Sequence, residues 1–181
     1  MALQAPVISD QTTGPLHRTA NSELVLFVGA GGDLEPTFQW HLNGQPIPGA
    51  VSFEYRQPAV QIEHAGAYTC VVKNSRGKKT TLPVQVTVVD PAASEQPLYL
   101  GKDSSLAARV ANASGTVVWR KDGIILQEGG RYKDTAKTVL RILATTEEDL
   151  GIYTCELTTA QGVFLPGPMH AVPVSEVPVV V

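Results

Sequence analysis

The feature that most constrains this chain is a repeat. GAYTCVVKNSRG at 66–77 and GIYTCELTTAQG at 151–162 each hold one cysteine, and the sequence has no others. Cys155 follows Cys70 by 85 residues, and the same spacing relates Gly66 to Gly151, Tyr68 to Tyr153 and Thr69 to Thr154. The only two tryptophans divide one per copy, in TFQWHLNGQPI around Trp40 and TVVWRKDGIIL around Trp119. A period of this length belongs to complete domains in tandem, because solenoid units run about 20–50 residues. The 181 residues therefore make two domains of ordinary size.

Both copies read as β-structure. LVLFV (24–28), TFQW (37–40), YTCVVKN (68–74) and LPVQVTVV (82–89) are short, rich in β-branched and aromatic residues, and bounded by Gly, Asn, Asp or Pro. Leu82, Val84, Val86 and Val88 alternate with Pro83, Gln85 and Thr87, as one buried sheet face requires. Leu140 and Ile142 share a face of VLRIL (139–143), and NG at 43–44 and DG at 122–123 follow the tryptophan strands as tight turns. No segment shows a convincing helical period. The expected fold class is all-β, two sandwiches in tandem. Boundaries are expected at 1–90 and 98–181, with a short linker at 91–97 stiffened by Pro91 and Pro97.

At these residues the chain resembles the immunoglobulin family. DLGIYTC (149–155) matches the D-x-G-x-Y-x-C signature, Leu140 and Ile142 fall where strand E has its aliphatic pair, and Trp119 falls in strand C. The first copy has HAGAYTC (64–70), with His64 in place of Asp, and NSRG (74–77) is similar to the N-x-x-G hairpin of the intermediate (I) set. The resemblance implies a core of Trp40, Tyr68, Cys70, Trp119, Leu140, Tyr153 and Cys155, and tyrosine corners in which the Tyr68 and Tyr153 hydroxyls bond back to backbone. Trp to Cys takes 30 residues in the first copy and 36 in the second, so the first has little room for strand D or C′, and Tyr55 and Gln57 stand at its strand E positions. This region is also similar to immunoglobulin-like repeats of bacterial surface and secreted proteins.

The resemblance further implies a strand B cysteine before each tryptophan, but those positions hold Val28 and Ala108. Cys70 and Cys155 would each lie inside a separate sandwich, beyond the roughly 4.4–6.8 Å Cα separation a disulfide needs. Two reduced, buried thiols are expected, and these favour a reducing compartment or a lineage that does without the bridge. The pattern is similar to intracellular muscle and cytoskeletal immunoglobulin arrays. NAS at 112–114 points the other way: Asn112 is an N-glycosylation sequon in a predicted loop.

Catalytic constellations are missing from the sequence. It has no G-x-S-x-G, H-E-x-x-H, P-loop or dinucleotide fingerprint, and His17, His41, His64 and His170 share no metal-ligand spacing. No cofactor, metal or enzymatic activity is expected. EED (147–149) reads as part of a turn. A net charge of −3 argues against a general nucleic-acid or membrane-surface binder, and no apolar run reaches the roughly 18 residues of a spanning helix. The N-terminus lacks the basic and apolar regions of a secretory signal, while the apolar ending VPVVV suggests that another domain or partner follows.

Two surfaces remain as candidates for a protein partner. RGKK (76–79) places Arg76, Lys78 and Lys79 at the tip of the first domain's last hairpin. In GVFLPGPMHAVPVSEVPVVV (162–181), four prolines interrupt the last strand, leaving Phe164, Leu165 and Met169 beside an edge open to a partner strand. The reading is a spacer and protein-binding module of a cytoplasmic, cytoskeleton-associated scaffold, its partner another immunoglobulin or cytoskeletal protein. The alternatives are an extracellular adhesion or receptor fragment and a binding module of a bacterial secreted protein.

Overall fold

Apolar side chains at every second position draw each copy into a sandwich. A computed structural model describes residues 4–32 and 34–174. The chain divides into one unit ending at Val88 and a second beginning at Val89. Among the described residues the only helical elements are two 3-10 turns, Ile62–His64 and Glu147–Asp149.

The first unit contains β1 (Val7–Gln11), β2 (Leu16–Thr19), β3 (Leu24–Gly31), β4 (Thr37–Leu42), β5 (Gln45–Pro46), β6 (Glu54–Gln57), β7 (Gly66–Asn74), β8 (Gly77–Thr80) and β9 (Val84–Val89). One sheet has the order β1-β3-β6; the other runs β9-β7-β4-β5, with β8 on β7 and β2 on β9. The second unit contains β10 (Ser94–Tyr99), β11 (Ser104–Ala107), β12 (Val110–Ala111), β13 (Thr116–Lys121), β14 (Ile124–Ile125), β15 (Tyr132–Lys133), β16 (Val139–Ile142), β17 (Gly151–Thr159), β18 (Gly162–Phe164) and β19 (Met169–Val174). Its sheets run β11-β16-β15 and β10-β19-β17-β13-β14, with β18 on β17. These are two β-sandwiches in tandem, and among the described residues only the second has a further strand, β15, beyond the strand β16 that pairs with β11.

The inward faces meet in two separate cores. Leu24, Leu26 and Val28 of β3 face Trp40, Tyr68, Cys70, Val72 and Val86. Leu106, Leu140 and Ile142 face Trp119, Tyr153, Cys155, Leu157 and Met169. Trp40 lies directly across from Cys70, and Trp119 from Cys155. Each indole donates a hydrogen bond to backbone leading into the opposite sheet: Trp40 Nε1 to the Ser52 carbonyl at 2.9 Å, and Trp119 Nε1 to the Lys137 carbonyl at 2.7 Å.

The D-x-G-x-Y-x-C motif has a physical reading at each position. The Tyr68 hydroxyl donates to the His64 carbonyl at 2.7 Å, and the Tyr153 hydroxyl to the Asp149 carbonyl at 2.7 Å. The Asp149 carboxylate accepts the Thr146 N–H at 2.8 Å, and in the first unit His64 Nδ1 accepts the Gln61 N–H at 2.7 Å instead. Glycine is required next: a Cβ on Gly151 would lie 2.6 Å from Asp122 Oδ2, and one on Gly66 2.5 Å from Asn43 Oδ1, both at positive φ. Those same Asn43 and Asp122 side chains sit in the two-residue turns and accept the N–H groups of Ala67 and Ile152 at 2.9 Å. The turns are left-handed at both residues (φ 51° and 81°; 49° and 85°), the type I′ geometry that suits hairpins.

Three expectations need correction. Residues 94–97 are not linker, because β10 already pairs in the second domain's sheet. Leu82 is 73% exposed and lies before β9, so the buried alternation begins at Val84, and Thr87 is itself buried. The last strand of the second domain is no open edge: β10 runs parallel to β19 along its whole length, from Ser94 against Met169 to Tyr99 against Val174. Pro173 is tolerated because β17 pairs only with Met169–Ala171. The terminal VPVVV, with Pro178, lies outside the described residues.

Replacing Trp119 with Ala should destabilise the second domain by about 3–5 kcal/mol, the range for large core truncations. Native-state hydrogen exchange checks this: amides of β13 and β17 should exchange faster, while those of β4 and β7 keep their protection.

Candidate protein-binding surface

The β7–β8 hairpin follows from one asparagine and one glycine. Asn74 is buried, its Oδ1 accepts the Arg76 N–H at 2.9 Å, and its Nδ2 donates to the Gln4 carbonyl at 3.0 Å. Gly77 takes φ +157° opposite Asn74, closing the turn. This register sets Lys73 directly across from Lys78 and Val72 across from Lys79. Lys73, Arg76, Lys78 and Lys79 are all exposed. Among the described residues none of the four enters an ion pair, and the sequence has no acidic residue between Glu63 and Asp90. Like charges directly opposite on a ladder are destabilising. Among the described residues the hairpin is thus a cationic tip without an ion-pair partner, on a chain of net charge −3.

Sequence reasoning found Arg76, Lys78 and Lys79 but not Lys73. The signal was available: in an N-x-x-G turn with Asn opposite Gly, the residue before Asn must face the residue after Gly.

The second candidate surface separates into three environments. Met169 is fully buried in the core, Phe164 is half-buried against that core, and Leu165 is 62% exposed. Met169 is therefore a core residue and not a contact for a partner, since the β10–β19 pairing holds it inside. Asn112 is exposed in the turn between β12 and β13.

The cysteines do no surface chemistry. Both are unpaired and buried, and the strand B positions hold Val28 at 1% exposure and Ala108 at 8%. Burial pushes the Cys70 thiol up to about 11 and the Cys155 thiol up to about 12, so both stay protonated and poorly nucleophilic. The acidic turn at 147–149 is also structural. Asp149 pairs with Arg131 at 2.7 Å and accepts the Tyr132 hydroxyl at 3.2 Å, and among the described residues no metal-ligand cluster forms. Among the described residues no helix is long and apolar enough to cross a membrane.

Comparison with known proteins agrees with this architecture. Residues 16–88 match one family described as immunoglobulin domain, and residues 94–165 match a second of the same description. Protein amalgam of Drosophila melanogaster is 28% identical over 176 residues, covering 87% of this chain and 53% of that protein. The mouse neural cell adhesion molecule L1-like protein is 31% identical over 169 residues, covering 80% of this chain and 13% of that protein. The chain thus spans about half, or far less, of these relatives. Among solved structures, the N-terminal four immunoglobulin domains of Dscam1 isoform 4.44 superpose with a TM-score of 0.54 at 23% identity, covering 95% of this chain and 47% of that one.

The thiols give a pH prediction. Their folded values lie above the ordinary value near 9, so unfolded chains lose these protons first as pH rises, and folding stability falls between about pH 9 and 11. Unfolding free energies from urea titrations at pH 7.5 and 10.5 should differ by about 1–2 kcal/mol per thiol, with the Cys70→Ala and Cys155→Ala variants each showing a smaller drop.

Proposed function

Since the chain belongs to the immunoglobulin-domain family, with two such domains in tandem, we propose that it is a non-enzymatic protein-binding segment of an adhesion-type protein displayed outside the cell. Its contact is the β7–β8 hairpin, and its partner is a protein with an acidic surface, another immunoglobulin domain being one that fits. The observation that carries the reading is the facing Lys73–Lys78 pair with Arg76 and Lys79 around it. Among the described residues no counter-charge pairs with it, and a carboxylate-bearing partner would relieve the repulsion while steering encounter. The names of the relatives, which include neural cell adhesion molecules, support the surface location over the cytoplasmic scaffold. The hairpin lacks the interleaved aromatics of single-stranded nucleic-acid sites, which supports a protein partner.

A second reading has its own observation. Two unpaired thiols in place of disulfides support a cytoplasmic, cytoskeleton-associated scaffold of the intermediate-set kind. Labelled chain added to intact and to permeabilised cells separates the two, since a scaffold binds only after permeabilisation.

Lys73→Glu with Lys78→Glu should cut cell-surface binding at least tenfold in flow cytometry. The single Lys78→Glu variant should raise stability by about 0.2–1 kcal/mol, because an opposite-charge cross-strand pair replaces a repulsive one. Binding and stability moving in opposite directions is the signature. Binding that survives the double reversal would remove the hairpin from the contact.

A further inference from the structure

The sequon at 112–114 stands where its surroundings give it a purpose. Gly115 is pinned to β17, since a Cβ there would lie 2.2 Å from the Thr158 carbonyl oxygen. The three residues before it, Asn112, Ala113 and Ser114, are all exposed. Asn112 turns the chain in the left-handed region, φ 55°, which asparagine accepts more readily than most residues. Beneath it opens a groove of about 340 Å³ with half-buried Val110 and exposed Ala136 along one side, the buried Val117 and Leu157 behind them, and Lys137 and Thr138 at its polar side.

We propose that Asn112 carries an N-linked glycan whose first N-acetylhexosamine lies along this groove. A pyranose presents one face of C–H groups and a rim of hydroxyls. The groove offers a short apolar strip at Val110 and Ala136 for the C–H face and a polar side at Lys137 and Thr138 for the hydroxyls. The donor is a lipid-pyrophosphate-linked oligosaccharide. The bond from Asn112 Nδ2 to the anomeric carbon forms, the bond from that carbon to the phosphate oxygen breaks, and the amide proton leaves with the lipid pyrophosphate. Ser114 supplies the hydroxyl that the acceptor triplet requires. The inference rests on the extracellular reading above, because only a chain that enters the secretory route meets this donor.

The test is the full chain expressed behind a secretory leader in animal cells, with intact mass measured before and after enzymatic removal of N-glycans. The wild type should carry a mass excess that removal abolishes, and Asn112→Gln and Ser114→Ala should each lack it. An endoglycosidase that leaves only the first sugar should keep the second domain's melting temperature, whereas complete removal should lower it by about 4 °C, the shift a modest contact produces in a domain of this size. Secreted chain at bare polypeptide mass overturns the proposal. A glycan whose complete removal leaves the melting temperature unchanged overturns the placement in the groove. Neither result touches the hairpin, whose cell binding is measured separately: an unglycosylated chain that still binds through Lys73 and Lys78 leaves the adhesion reading standing, and a glycosylated chain that binds nothing removes it.

Discussion

Each sandwich hangs on an indole. Trp40 and Trp119 fill the space beside the cysteines of β7 and β17 and send their N–H across to the chain entering the other sheet, at Ser52 and Lys137. One side chain therefore does two jobs: it buries a large apolar surface and satisfies a backbone carbonyl of the opposite layer. In a disulfide-bonded sandwich a covalent link would join these layers. Here Val28 and Ala108 stand at the strand B positions, and the joining depends on packing and on hydrogen bonds such as the indole's. The tyrosine corners close the same layer from its other end, with Tyr68 and Tyr153 both fully buried.

The two copies reach this arrangement with different residues. At the corner, Asp149 caps its turn and pairs with Arg131, while His64 caps the equivalent turn through Nδ1 with no cation at hand. Beside the corner tyrosine, the second domain places Tyr132 from β15, whose hydroxyl bonds Asp149. The first domain has no such strand and uses Tyr55 of β6, its ring 5.6 Å from Tyr68 and 6.2 Å from Trp40. An aromatic at that spot matters more than the strand that delivers it.

What the sequence made legible was local. The strand periods, the Asn-Gly and Asp-Gly turns and the D-x-G-x-Y-x-C frame each lie within a dozen residues, and their physics is short-range: pleat, left-handed turn, capping bond. What it hid was pairing between distant segments. Nothing in SEQPLY says that it runs parallel beside MHAVPV, so the prolines of β19 read as an open edge and Met169 as surface. Lys73 was hidden for a milder reason, since its neighbour Lys78 appears only once the hairpin register is drawn. Function was the least legible part, because a cytoplasmic scaffold and an adhesion protein use the same sandwich, and the difference lies in surface charge and relatives.

The parallel pairing of β10 with β19 has a consequence under load. These are the first and last strands of the second domain, lying side by side and pointing the same way, with six residue pairs between Ser94–Tyr99 and Met169–Val174. Tension drawn through the domain pulls the two strands in opposite directions along their length, so the bonds between them are strained together and not peeled one at a time. No disulfide then stops the chain from paying out, and each residue released adds about 3.3–3.6 Å. The domain is built to hold against a pull and, once the shear gives way, to lengthen without a covalent limit.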